Sequence, residues 1–213
     1  MRRSREDSLK TRRQIVRAAR AEFARRGVSQ TTMEQIAAAA GVTRGAVYGH
    51  FRNKGELFGC MREEVKLPLF DSINAEMHCA TGDPLSAIAN YLKAFIAALE
   101  TDAVTRESLR IMSFKCEYVG DLQKDMKRQI ARCDTLTREL EAAFADAARE
   151  GVLRKGIEAR TAALESCSFL IGLVRMWLLD SGGKLIKPHV AKVVDAHIDR
   201  FRPDPPVRRR ARA

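Results

Sequence analysis

Cysteine is scarce and unpaired in this chain: the five residues at 60, 79, 116, 133 and 167 form no C-x-x-C motif. Neither a zinc site nor a disulfide framework follows from that spacing, and small reduced core residues fit it better. No stretch alternates apolar and polar residues as a strand would, nothing repeats, and no glycine-rich phosphate loop occurs. HExxH, GxSxG, the P-loop and a carboxylate pair grouped with a histidine are all missing, so nothing calls for an enzyme, a cofactor or a metal. The first 26 residues are arginine-rich without the apolar run of a signal peptide. The most apolar stretch, FLIGLVRMWLL, falls short of the roughly 20 residues that span a bilayer and is interrupted by Arg175. The expectation is a soluble cytoplasmic protein without a membrane partner.

What is present is helix and positive charge. Hydrophobic residues make up 46% of the 213, enough for a real core, and Lys plus Arg outnumber Asp plus Glu by 38 to 27 for a formal charge of +11. That excess favours polyanions such as nucleic acid, and it concentrates near the N-terminus and in the closing VRRRARA. Ile15, Val16, Ala19 and Phe23 recur at three- and four-residue spacing, with Arg13, Arg17 and Arg20 expected to point away, and Gly27 closes this first helix. Thr32 with Gln35 is a capping box for the next helix, which stops at Gly41. A third short helix covers 44–51, and Asn53 with Glu56 caps a fourth through Leu57, Phe58, Met61 and Val65. Three helices within about fifty residues, the last two joined by a tight turn, make a helix-turn-helix unit.

The stretch GVTRGAVYGHFRNKGEL carries that unit's chemistry. In a helix-turn-helix the second helix of the pair presents its N-terminal residues to the major groove. Thr43 and Arg44 stand there, Arg44 with the fork that matches guanine. Gly45 and Gly49 weaken the helix by roughly 0.5–1 kcal/mol each, a cost with a purpose if the backbone must approach the sugar-phosphate wall. Tyr48 and His50 are long donors suited to flanking phosphates, and Lys54 adds charge at a helix start. Singly, each of these is as readily a half-buried tyrosine, a surface histidine or a solvated lysine. Together, behind a turn and with Val47 and Phe51 already forming the apolar face, they point outward to DNA.

TTMEQIAAAAGVTRGAVYGHFRNKGELF, preceded by IVRAARAEFARRGV, resembles the DNA-binding domain of the TetR family of bacterial transcriptional regulators. The resemblance implies an all-α protein of about nine helices. A three-helix DNA-binding head with a basic arm would occupy 1–53, a helical ligand-binding and dimerisation domain 54–202, and a disordered basic tail 203–213. It implies a homodimer on an inverted-repeat operator, with DNA contacts at Thr32, Thr43, Arg44, Gly45, Tyr48, His50 and Lys54. Gly49 replaces a larger residue of other members, so any contact from that side chain is lost. IMSFKCEYVGDL and GLVRMWLLD are similar to segments of the AcrR and TtgR branch, which represses multidrug efflux and answers to lipophilic compounds. That branch's pocket positions fall near Leu109, Ser113, Leu136, Cys167, Leu170, Ile171, Val174 and Arg175, with serine at 113 where members can carry histidine.

The second half leaves several readings open. Asp83 and Pro84 start a helix with Leu85, Ile88, Leu92, Phe95 and Leu99 on one stripe, a long amphipathic helix fills 120–150, and TAALESCSFLIGLVRMWLLD is apolar nearly all round. Arg175 inside that last run either pairs with Glu165, Asp180 or a carbonyl, or faces a cavity to orient a ligand's polar end. The final two helices, the second beginning at Pro188, carry more apolar surface than a monomer covers and suggest a bundle shared between two subunits. His189 and His197 are a metal pair or ordinary packing residues, and Trp177 and Phe169 belong to core or interface. Pro68 falls inside the linking fourth helix, where a kink would serve as a hinge. The reading is a ligand-responsive, nucleoid-associated repressor of an efflux operon. A regulator of lipid or aromatic-compound metabolism and a sequence-indifferent architectural DNA binder are the alternatives.

Overall fold

The computed structural model describes residues 5–65 and 83–204, and all regular structure among them is helical. In order these are α1 (Arg5–Arg26), α2 (Met33–Ala39), α3 (Arg44–His50), α4 (54–65), α5 (Pro84–Thr101), α6 (Ala103–Phe114), α7 (Gln123–Arg149), α8 (Ala159–Leu179) and α9 (Val190–Asp199). Short 3-10 turns at Gly120–Leu122 and Lys187–His189 precede α7 and α9, so the last helix begins two residues beyond Pro188. Residues 1–4, Pro68, Cys79 and the end of the tail lie outside the described residues. Because α1 starts at Arg5, the basic N-terminal segment is helical from there rather than an arm.

The described helices form two compact units, one of residues 5–65 with 97–131, the other of 83–96 with 132–204. In the first, Ile15, Val16, Ala19 and Phe23 of α1 are all buried, as their spacing dictates, and meet Ile36 of α2, Val47 of α3 and Leu57, Phe58 and Met61 of α4. Ile111 and Met112 of α6 complete this core. The rings of Phe23 and Phe58 pack edge to face at 6.2 Å, a geometry favoured by the aromatic quadrupole. Gly27 ends α1 at φ 87° and donates its N–H to the Phe23 carbonyl at 2.9 Å, a conformation that an L side chain resists.

Arg20 departs from the sequence reading. It is buried, not outward: its Nε donates to Ser108 Oγ at 3.1 Å and its guanidinium pairs with Glu64. A buried guanidinium is tolerable only with partners of this kind. Arg62 of α4 and Asp125 of α7 form a second ion pair, both side chains almost fully enclosed. Arg13 and Arg17 are exposed as expected.

In the second unit α8 is the one described helix long and apolar enough to cross a membrane by length and composition. Half of its most apolar window is buried inside the fold, as in a core helix. Leu170, Leu173, Trp177 and Leu178 face inward; Leu164, Ser168, Ile171, Arg175 and Leu179, three or four residues apart, form an exposed stripe. Phe201 packs edge-on against Phe144 of α7 at 5.0 Å and ties the chain end to this core.

Candidate nucleic-acid interface

Two caps fix the turn-helix geometry. Thr32 Oγ1 accepts from Gln35 N at 3.2 Å while Gln35 Oε1 accepts from Thr32 N at 3.0 Å, and Thr43 Oγ1 accepts from Ala46 N at 3.1 Å. Between them Gly41 adopts φ 62°, the left-handed conformation that the reversal requires. Val47 and Phe51 are buried and anchor α3 from below. The rotation of the helix then leaves Thr43, Arg44, Gly45, Tyr48 and Gly49 on the outer face, all exposed.

Neither α3 glycine is required by the protein's own packing. A methyl group at Gly49 meets nothing within 4 Å, one at Gly45 only Thr43 Oγ1 at 4.0 Å, and neither residue lies in the left-handed region. The unfilled side is the outer side. Arg44 lies back on the protein, its Nε 2.9 Å from Glu34 and its guanidinium 5.4 Å from the centre of the Tyr48 ring. A solvent-exposed pair of this kind holds far less strongly than a bidentate guanine contact, so Arg44 can exchange partners. The Glu34 carboxyl is held below the usual carboxylate range by its own backbone N–H and the Thr32 hydroxyl, with Arg44 adding to the effect.

His50 closes α3 with its ring 6.4 Å from that of Phe51, half-buried at the rim of the same face. Lys54 has a further task that the sequence did not reveal. Its Nζ donates to the carbonyls of Ser29 and Thr31, both at 2.9 Å, and clamps the loop ahead of α2; burial pushes its pKa down. Two of its three donors are therefore internal, and one remains for an anion. Arg12 and Gln14 also escaped the sequence reading. Gln14 Nε2 donates to the Ala40 carbonyl at 2.6 Å, and Arg12 lies 4.8 Å over the Phe51 ring, so α1 braces both ends of the pair.

The candidate ligand residues divide between the two units. Leu109 and Ser113 are half-buried, one turn apart on α6 of the first. In the second, Leu136, Cys167 and Leu170 are buried and Val174 half-buried, but Ile171 and Arg175 are not among them. Both stand on the exposed stripe of α8, so Arg175 is not the enclosed charge that its apolar neighbours suggested. None of the three described cavities, of about 670 Å³ in the first unit and 610 and 520 Å³ in the second, is lined by a candidate ligand residue. Tyr91, fully buried on α5 with no hydrogen-bond partner for its hydroxyl among the described residues, is a polar group that sequence reasoning missed. Burial pushes its pKa up, and the Glu139 charge adds to the shift.

His197 and His189 do not form a pair. His197 is buried, stacked on Phe169 with centroids 4.0 Å apart, its Nε2 3.0 Å from Ser166 Oγ, whereas His189 is exposed ahead of α9. Trp177 is a core residue with Lys187 Nζ 4.3 Å over its ring. No cluster of three metal-ligating side chains occurs among the described residues.

Comparison with known proteins gives the same frame. Residues 15–60 match the model of bacterial regulatory proteins of the tetR family, and residues 83–203 match the C-terminal region of MAATS-type transcriptional repressors. The HTH-type transcriptional regulator TtgR of Pseudomonas putida is 35% identical over 98% of this chain and 100% of its own length. NalD, the secondary repressor of the MexAB-OprM multidrug efflux pump in Pseudomonas aeruginosa, superposes with TM-score 0.83 at 32% identity, covering 94% of this chain and all of that one. SmeT, the repressor of a Stenotrophomonas maltophilia multidrug efflux pump, superposes in its triclosan complex with TM-score 0.76 at 26% identity, over 96% and 99% of the two chains. With a capped turn-helix pair, an outward polar face on α3 and matches along nearly its whole length, the chain belongs to the TetR family of bacterial transcriptional regulators.

Proposed function

We propose that this chain is a ligand-responsive repressor of a multidrug efflux operon, held on an inverted-repeat operator and released by a lipophilic effector. The outer face of α3 carries the reading: Arg44 and Thr43 at the helix start, Tyr48 beside them, and two glycines whose missing side chains serve nothing inside the protein. Arg44 would leave Glu34 for a guanine edge, and Thr32, Tyr48, His50 and the remaining Lys54 donor would hold phosphates. The functional division then places the DNA-binding head at 1–53 and the ligand-binding and dimerisation domain at 54–202.

Two heads need two subunits. Leu164, Ile171 and Leu179 on α8 are 47%, 49% and 58% exposed in one row, which supports a homodimer formed through α8 and α9. Half-sites would then lie about 34–36 Å apart or a little more. The formal charge of +11 suits a protein that stays with the nucleoid in the cytoplasm.

Efflux control rests on the kinship with NalD and SmeT, and a lipophilic effector on the SmeT–triclosan complex. Leu109, Ser113, Leu136, Cys167, Leu170 and Val174 remain the proposed effector contacts, joined by the unpaired Tyr91 hydroxyl, in keeping with pockets that are apolar apart from a few placed polar groups. The test is a preformed complex of the protein with DNA from upstream of its own gene, challenged with triclosan, phenolics, lipophilic antibiotics and acyl compounds. Release by one class at micromolar concentration is expected. Release by none of them would remove the ligand-gated reading while leaving the DNA-binding one intact.

A further inference from the structure

Two of the cysteines that the sequence left as inert core residues are brought together across the second unit. The Cys167 thiol of α8 donates to the Cys133 carbonyl oxygen of α7 with Sγ and O 3.9 Å apart, which sets the two cysteines side by side across the helix pair. Thr137, one turn beyond Cys133 on α7, donates its hydroxyl to the same Cys133 carbonyl at 2.7 Å and can turn to a charged Cys167. Cys133 and Thr137, one turn apart on α7, thus lie on the face that meets Cys167 of α8. We propose that Cys133 and Cys167 form an oxidisable dithiol that a hydroperoxide converts to an intramolecular disulfide linking α7 to α8.

The roles of the two sulfurs are unequal. Cys167 is the thiol that ionises: its thiolate accepts first from the Cys133 thiol and then from Thr137, which holds it below the ordinary thiol value against the opposing effect of burial. Cys133 is pushed up by the same hydrogen bond and by burial, so it keeps its proton until needed. The thiolate is the nucleophile in such chemistry. The Cys167 thiolate attacks one peroxide oxygen, the O–O bond breaks, and the other oxygen leaves as an alcohol (water, for hydrogen peroxide) after taking a proton from solvent. Cys167 is then a sulfenic acid. The Cys133 sulfur attacks it, an S–S bond forms, the S–O bond breaks, and the hydroxyl departs as water with the Cys133 proton. Two thiols lose one electron each and one hydroperoxide is reduced. The S–S bond of roughly 2.0 Å then forms by rotation of the two side chains toward each other.

The other described cysteines lack this arrangement. Cys60 accepts a hydrogen bond from Arg12, and burial pushes the Cys116 thiol up. Cys133 is half-buried and Cys167 only 5% exposed, which admits a water-sized oxidant more readily than a bulky one.

Full-length protein treated with hydrogen peroxide, blocked with N-ethylmaleimide and digested with trypsin without reduction reads this directly. The expected product joins the peptide of residues 133–138 to that of residues 161–175 and is lost on adding dithiothreitol. Cys133→Ser keeps a hydroxyl donor but cannot close the disulfide, so dimedone should label Cys167 in that variant; Cys167→Ser should give neither product. The inference is overturned if both cysteines remain open to maleimide after peroxide, if the linked peptides involve Cys60, Cys79 or Cys116 instead, or if Cys167 goes directly to sulfinic acid beside a free Cys133.

Discussion

His197 lies between the ring of Phe169, stacked at 4.0 Å, and that of Phe201, edge-on at 5.2 Å, with Ser166 at its Nε2. Burial drives its pKa down to about 4 from an ordinary 6.5, and the Arg200 charge contributes in the same direction. The folded protein therefore holds a neutral imidazole that the unfolded chain protonates. A histidine with a depressed folded pKa contributes nothing at pH 7, where both states are neutral, and loses stability for the fold as pH drops below about 6.5. At pH 5 the unfolded imidazole is charged and the folded one mostly is not. At about 1.36 kcal/mol per pKa unit the penalty there is about 2 kcal/mol, rising to roughly 3 kcal/mol below pH 4. Urea denaturation at pH 7, 6 and 5, at one fixed subunit concentration, should show this on top of all other titrations. His197→Gln, which cannot titrate, should lose about 2 kcal/mol less than wild type between pH 7 and 5. Parallel pH profiles for the two proteins would refute the buried neutral histidine.

Asp125→Ala should cost about 3–5 kcal/mol in the same denaturation assay, because it strands the enclosed Arg62 guanidinium; the double change Arg62→Met with Asp125→Leu should recover most of it. Tyr91→Phe should raise stability by about 1 kcal/mol by deleting a buried hydroxyl without a partner, and should weaken effector binding if that hydroxyl meets the ligand. Gly45→Ala and Gly49→Ala should each stabilise α3 by about 0.5–1 kcal/mol yet weaken operator binding. An unchanged anisotropy titration for both alanine variants would mean that DNA does not approach the helix there.

The head was legible in the sequence because its signals are local. Apolar residues three and four apart place α1 on its core, Thr32 and Gln35 lie within hydrogen-bond reach in any helix start, and Val47 with Phe51 decides which way α3 turns its polar side. What stayed hidden depends on partners far along the chain. Arg20 reads as one more outward arginine until Glu64 and Ser108, 44 and 88 residues away, supply its counter-charge and acceptor. Lys54 reads as a free cation until the carbonyls of Ser29 and Thr31 arrive beneath it. Arg175 failed in the opposite sense: an apolar sequence around it suggested enclosure, but α8 leaves one row of apolar side chains exposed, and Arg175 stands in that row. Spacing along the chain also says nothing of the meeting of Cys133 and Cys167, 34 residues apart on different helices.

The central claim is that α3 reads a DNA sequence, and it is tested most directly by fluorescence anisotropy at matched salt. Wild type and Arg44→Ala would each be titrated against DNA from upstream of the protein's own gene and against a shuffled duplex of equal length. Wild type should prefer the upstream duplex by about a thousandfold or more, and Arg44→Ala should lose roughly 10–100-fold on that duplex alone. Equal affinity of wild type for both duplexes, with an equal loss on both in the variant, would contradict the account and leave only charge-driven binding.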